Sequence, residues 1–347
     1  MQEPAVIRHE NAFHRIPQYR GITSISSSRS RIYGQNVHCR LPLPFPSVEF
    51  ETPDIDIFFE DGLHHPPGPR PHPWVRQWFP RGDKRVLRYL GSDGHVFECV
   101  FTSNGKRIFI RQSCPEWRNA LFILLNPALA VSLYLQGMSP LHATSLVRNK
   151  EAYLFAGISG AGKSSLAAAL IRQGLALHAD DISVFSLENG RPVVQAGYPR
   201  LKITPEAAAA TGWNGSSLDT IFFSDPAYPK KWLSLSDTDG GFHETAAPIK
   251  AVYVLCDRSH GINFPMIDEL SPCRRVLFLA RHVYGYPWLQ KQGKRVLTHC
   301  AGLADSVPVF AIRLPEGLDK LHASARFVIR HMNTIKGRSN CHNTWLP

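Results

Sequence analysis

Eight consecutive residues, Gly157-Ile158-Ser159-Gly160-Ala161-Gly162-Lys163-Ser164, have the types and spacing needed to hold a phosphate chain. They satisfy G-x-x-x-x-G-K-[ST]. The glycines let the backbone aim successive N–H groups inward, and such a concavity binds anions. Lys163 would neutralise β- and γ-phosphate oxygens and the Ser164 hydroxyl would ligate Mg²⁺, with Ser165 behind it. The context is also right. An apolar run, AYLFAGI, leads in, and an Ala- and Leu-rich run leads out to Gly174, which is placed as a helix stop. The expected cofactors are therefore ATP or GTP with Mg²⁺.

The loop alone does not separate kinases from motor or transport ATPases. Asp180-Asp181 narrows the choice. The pair follows the short run LALHA, so two carboxylates stand at the carboxyl end of an expected strand. One could take a hydroxyl proton and the other could serve the metal. A helix cap or a solvated acidic pair is the plainer alternative. His142 lies one expected strand upstream of the loop. A hairpin of LHATSLV with AYLFAGI would set it across from the loop, near Asp180, although a lone histidine is more often structural.

In this order and at these separations, His142, GISGAGKS, the helix SSLAAALIRQ and Gly174-Leu175-Ala176-Leu177-His178-Ala179-Asp180-Asp181 resemble the bacterial HPr kinase/phosphorylase family. The resemblance is sharp over residues 139–202 and vague beyond. It implies an α/β P-loop kinase domain of the type shared with phosphoenolpyruvate carboxykinases, and γ-phosphoryl transfer to a serine hydroxyl. Asp180 would then be the base assisted by His142, Lys163 the phosphate holder, and Ser164 with Asp181 the metal ligands. The loop residues Gly157, Ser159, Gly160, Ala161, Gly162 and Ser165 would line the nucleotide.

The family's second signature, a Glu-bearing L-E-I-R-G segment, has no clear counterpart, and Glu206 is a weak substitute. Gly197-Tyr198-Pro199-Arg200-Leu201-Lys202 stands there instead, followed by Pro229-Lys230-Lys231-Trp232. Both segments resemble a divergent branch of the family, some of whose members phosphorylate the C-terminal serine of lasso-peptide precursors. Arg200 and Lys230 or Lys231 would contact phosphate or an acidic peptide end there; surface charges beside a turn are the alternative. The expected acceptor is a serine-containing peptide or small protein. A small-molecule hydroxyl kinase and a nucleotide-binding regulator without transfer activity are the competing readings.

The remaining chain has to position these residues. Three regions are expected: a partly irregular extension over 1–50, a β-rich subdomain over 51–115 and the kinase domain over 116–347. The first carries TSISSSRSR and LPLPFP, which read as loop. In the second, Asp61-Gly62, Asp93-Gly94 and Asn104-Gly105 punctuate short β-branched and aromatic runs, predicting an antiparallel meander interrupted by PPGPRPHP. In the third, 116–136 and 267–284 read as helices, AVYVLCD and VPVFAIRL as strands, and 316–332 as a closing helix. No repeat is visible.

Of 347 residues, 44% are hydrophobic and 19% charged, which suits a buried core, and the formal charge of +11 favours anionic partners. The basic residues are scattered and no RNP-like motif appears, so nucleic acid is not favoured. Neither a G-x-S-x-G elbow nor H-E-x-x-H is present, and His64, His65 and His72 lack partners at metal spacing. Seven dispersed cysteines and a polar first ten residues set the expectation of a cytoplasmic protein with reduced thiols. Ala120 to Leu135 is apolar but shorter than the roughly 20 residues that span a bilayer, and Asn126-Pro127 interrupts it. A buried helix is expected there, with no membrane partner. Oligomeric state is left open.

Overall fold

The computed structural model describes residues 27–60, 75–90, 95–114, 116–188, 191–213, 218–221, 228–235, 241–256, 262–284 and 293–335. The expectations for Asp61-Gly62, Asp93-Gly94, PPGPRPHP and the three histidines at 64, 65 and 72 fall outside these residues.

The N-terminal part is a seven-stranded sheet in the order β1-β2-β3-β7-β6-β5-β4. Its strands are β1 (Ser28–Ile32), β2 (Gln35–Cys39), β3 (Ile55–Phe59), β4 (Val75–Arg81), β5 (Lys84–Leu90), β6 (Val96–Phe101) and β7 (Arg107–Gln112). The meander expected over β4–β7 is there, fully antiparallel. Two expectations need correction. The Ser-rich run is not all loop, because SRSRI forms β1, with Ser28 and Ser30 inward and Arg29 and Arg31 outward. In addition, β3 joins β7 in parallel, so the sheet is not one meander. Ser28 Oγ accepts a hydrogen bond from the Leu43 N–H at 2.7 Å, which lets a hydroxyl occupy a core position.

The inner face packs on α1 (Asn119–Ile123) and α2 (Leu129–Leu135). Between these helices lies one π-helical stretch, Leu124–Ala128, containing Pro127. Proline lacks an N–H and crowds the preceding turn, and the wider π turn accommodates it without ending the helix. The apolar run 120–135 is thus a buried, interrupted helix, and among the described residues no helix is long and apolar enough to cross a membrane. The β6–β7 turn is pinned to α2 at Gly105, which has φ +71; an added Cβ would meet the Ser132 carbonyl oxygen at 2.5 Å. Gly105→Ala should cost about 2 kcal/mol or more, read as a lower denaturant midpoint with an unchanged slope.

The second part is a mixed α/β unit. Its strands are β8 (Ala143–Arg148), β9 (Glu151–Gly157), β10 (Ala176–Ala179), β11 (Val184–Glu188), β12 (Arg191–Gln195), β16 (Ala247–Leu255), β17 (Met266–Glu269) and β18 (Val309–Arg313), in the path β10-β8-β9-β16-β12-β11. β18 pairs with β16, and β17 with β18. β9, β16 and β18 run parallel, while β8 and β10 are antiparallel to their neighbours. Alternation along β9 sorts the core. Tyr153 and Phe155 face α3 (Lys163–Ile171), α4 (Pro205–Ala210) and α7 (Leu321–Thr334), whereas Leu154 and Ala156 face α5 (Pro272–Arg281) and α6 (Gly293–Ser306). The expected helix over 267–284 begins later than predicted, because Met266–Glu269 is the edge strand β17 and Pro272 starts α5.

A small sheet, β13 (Arg200–Ile203), β15 (Lys231–Ser234) and β14 (Leu218–Thr220), lies against α3 and completes the fold. The two parts share one core: Ala179, Ile182, Tyr198 and Trp232 pack with the N-terminal sheet, and the Tyr33 N–H donates to the Ala196 carbonyl at 2.6 Å.

Candidate functional site

The glycine loop joins β9 to α3, as its flanks predict. Gly160 and Gly162 have φ of +87° and +95°, conformations that cost other residues strain, and Gly162 caps α3. The helix therefore points its N-terminal N–H groups at the loop. Lys163 is 6% exposed, and its Nζ donates to the carbonyls of Gly157 at 2.8 Å and Ile158 at 3.1 Å. Burial pulls its pKa down, while Asp181 and Asp180 oppose the shift. Packing against β16 keeps the loop compact: a Cβ on Gly157 would meet the Leu255 carbonyl at 3.1 Å.

A cleft opens between this loop and β13. His142, Ser159, Gly160, Gly162, Lys163, Ser164, Ser165, Asp181, Lys202 and Lys230 line it, with Ile203 and Thr204. Its location rests on chemistry rather than size. A larger depression on the N-terminal sheet, lined by Arg81, Asp83, Lys84, Val100 and Arg111, brings together no comparable set of groups.

The two aspartates have separate fates. Asp180 is 1% exposed and does not line the cleft. Its Oδ1 accepts from the Thr144 hydroxyl at 2.8 Å and its Oδ2 from the Lys202 N–H at 2.8 Å, so it ties β10 to β8 and β13. Burial and the adjacent Asp181 raise its pKa. Asp180, the base expected from the sequence, thus has both carboxylate oxygens occupied by hydrogen bonds behind the cleft. Asp181 has φ +62, and the Ile182 N–H donates to the Asp180 carbonyl at 2.8 Å, closing a tight turn around it. Such a conformation costs a non-glycine residue about 1–3 kcal/mol. Here it turns Asp181 into the cleft while Asp180 stays in the scaffold. Burial opposes ionisation of Asp181, but the Lys202 ammonium outweighs it, with help from His142 and Lys230, and holds the carboxyl below the usual carboxylate range.

Lys202 is the residue that sequence reasoning missed. Its backbone N–H binds Asp180 and its ammonium, 8% exposed, pairs with Asp181, so one residue fixes both acids. The available signal was period two along Arg200-Leu201-Lys202, which puts Lys202 on the face of the weighed Arg200.

His142 is delivered to the cleft by two flanking bridges, Leu141 with Ser183 and Leu141 with Val283. Its own N–H donates to the His282 carbonyl at 2.7 Å, and its Nε2 lies 4.0 Å from Asp181 Oδ1. It thus sits beside Asp181 rather than Asp180. Burial, with Lys163 nearby, pushes both His142 and His282 down to about 4 from 6.5. Between those values the unfolded chain binds protons that the folded chain refuses, so stability must fall as pH drops from 6.5 to 4. Replacing both histidines by Asn should flatten that fall by roughly 2 kcal/mol per histidine in denaturant titrations at pH 7 and 4.5.

Three further candidates do not reach the cleft. Arg200 pairs with Asp219 at 3.0 Å and lies over the Trp232 ring, a structural use. Lys231 pairs in register with Ile203 and Thr220 and does not line the cleft. Glu206 is exposed at the start of α4, where Thr204 is the cap.

The residues present fit a metal carried in by a nucleotide. Among the described residues no three His, Cys, Asp or Glu side chains form a metal cage. Mg²⁺ does not need one, since it takes one or two protein oxygens and completes its shell with phosphates and water. Ser164 and Asp181 face the same cleft and can supply those oxygens.

No protein-family model and no curated protein matches this sequence. Among solved structures, the Hpr(Ser) kinase/phosphatase from Coxiella burnetii is similar at 15% identity over 55% of this chain and 89% of that chain, with a TM-score of 0.33. At that score the likeness carries no weight, and the cleft itself must carry any functional reading.

Proposed function

We propose that this protein is a Mg²⁺-dependent phosphotransferase that moves the γ-phosphoryl group of ATP or GTP to a serine hydroxyl of a peptide or small protein. The observation that carries the reading is Asp181, a carboxylate held in a strained turn, kept ionised by Lys202 and facing the phosphate loop across one cleft. Strain of this kind persists where surrounding structure over-determines it, and it clusters at reacting centres. A purely scaffolding acid has no need of it, as Asp180 illustrates.

The loop N–H groups and the α3 N-terminus bind the phosphates, and Lys163 leaves its resting carbonyls to neutralise them. Ser164 would help hold Mg²⁺, which would supply neutralisation of phosphate charge. Asp181 accepts the acceptor's hydroxyl proton. Its lowered pKa is no obstacle, because phosphoryl transfer through a loose transition state needs positioning more than a strong base. His142, neutral near pH 7 with its Nε2 4.0 Å from the same carboxylate, orients the hydroxyl. In this reading Asp181 replaces Asp180 as the base.

The peptide acceptor rests on the sequence resemblance, including the segments Gly197–Lys202 and Pro229–Trp232. A nucleotide-binding regulator is the alternative, favoured by the lack of a second acid in the cleft at the Glu206 segment. The test is Mg²⁺-dependent transfer from ATP and GTP to serine peptides, including peptides ending in serine, followed by intact mass. A gain of one phosphate on the peptide supports the kinase. Tight nucleotide binding with no transfer to peptides or small hydroxyl compounds favours the regulator.

A further inference from the structure

Among the described residues three ammonium groups face the cleft, and their partners differ. Lys163 is held by two loop carbonyls and Lys202 by Asp181. Lys230 has no hydrogen-bond or ion-pair partner among the described residues, yet it lines the cleft with them. Its charge is felt at both Lys163 and Asp181, so it stands near the gap between the phosphate loop and the acid.

The backbone places it there. Lys230 comes two residues before Trp232, whose partner across the sheet is Lys202. Alternate residues of a strand share a face, so Lys230 emerges on the Lys202 side and Lys231 on the other. With Asp180 consumed by the scaffold, one cleft-facing carboxylate among the described residues meets three lysines. Three positive charges against one negative leave the cleft net positive, which favours an incoming anion.

We propose that Lys230 touches the γ-phosphoryl group of the bound nucleotide and is a catalytic cation for its transfer, an inference that rests on the phosphotransfer reading above. In that step the acceptor oxygen bonds to the γ-phosphorus. The bond from that phosphorus to the bridging oxygen breaks, and its electron pair leaves with the nucleoside diphosphate. The hydroxyl proton goes to Asp181. Lys230 forms no covalent bond; it donates a hydrogen bond to a non-bridging γ-oxygen from outside the phosphate loop, where charge is spread in the transition state.

The experiment compares the wild type with Lys230→Met, Lys230→Arg and Lys231→Met, titrating each with Mg²⁺ plus ADP and with Mg²⁺ plus the β,γ-imido analogue of ATP. A cation on the γ-phosphoryl group predicts that Lys230→Met weakens the triphosphate analogue about tenfold and leaves ADP unchanged. Lys230→Arg should retain the preference and Lys231→Met should match the wild type. Under saturating ATP, the rate of γ-phosphoryl loss should fall about 100-fold or more in Lys230→Met alone. Equal effects on both nucleotides, or none on either, would overturn the assignment while leaving the nucleotide site intact. Failure of the wild type to bind either nucleotide would instead refute the phosphotransfer reading on which it rests. Lys230 is partly exposed, so thermal melting should show all variants folded.

Discussion

Asp181→Asn should abolish phosphoryl transfer, lowering kcat by about 10³-fold, and should also lower the thermal midpoint because the Lys202 ammonium is left unpaired. The amide keeps the size of the side chain but neither accepts the hydroxyl proton nor balances the Lys202 ammonium. Asp180→Asn should act mainly on stability. Both Asp180 oxygens accept hydrogen bonds in a buried place, one from Thr144 and one from the Lys202 N–H, and an amide keeps the second only by turning its NH₂ to Thr144, whose hydroxyl must then accept instead of donate. The cost should be about 1–3 kcal/mol of stability. Some loss of rate should follow because Lys202 shifts, but residual transfer should exceed that of Asp181→Asn. Denaturant midpoints and single-turnover rates on the two variants separate the roles. If Asp180→Asn removed transfer with the fold intact and Asp181→Asn did not, the assignment of the base would be reversed.

Lys163→Ala should weaken nucleotide binding about 100-fold and reduce kcat/KM further still. The loss has two parts. One is the charge on the β- and γ-phosphates, where each charged hydrogen bond contributes about 1.5–3 kcal/mol. The other is the brace that the ammonium gives the loop through the Gly157 and Ile158 carbonyls. Lys163→Arg should not rescue binding, since a planar guanidinium does not fit a site where the lysine is 6% exposed. Fluorescent nucleotide titrations measure the first effect, and a faster-exchanging loop in hydrogen exchange reads the second. Wild-type affinity in Lys163→Ala would contradict the phosphate-loop reading.

How much of this was legible in the sequence depended on the range of the interactions. The phosphate loop was legible because its chemistry is local: spacing, glycines, and a strand and helix on either side. The hairpin of β8 with β9 was equally local, joined by Asn149 and Lys150, both at positive φ. The acidic pair was visible, but not which member faces the cleft. That choice is made by the Asp181 backbone together with Thr144 and Lys202, which reach it from two other strands. Lys202 and Lys230 depend on pairing between β13 and β15, and composition does not announce that register. β1 was misread because serines occupy its inward positions, where Ser28 and Ser30 are satisfied by backbone groups. The start of α5 was misplaced because Met266–Glu269 is a short, largely exposed edge strand without an apolar stripe.

The most direct measurement is a calorimetric titration of Mg²⁺-ATP into the wild-type protein, repeated with Mg²⁺-GTP. A cleft built from the α3 N-terminus, Lys163, Ser164 and Lys230 predicts saturable binding of one triphosphate per chain, weakened when Mg²⁺ is removed by chelation. No binding of either triphosphate at millimolar concentration would contradict the central claim that this cleft is a nucleotide site.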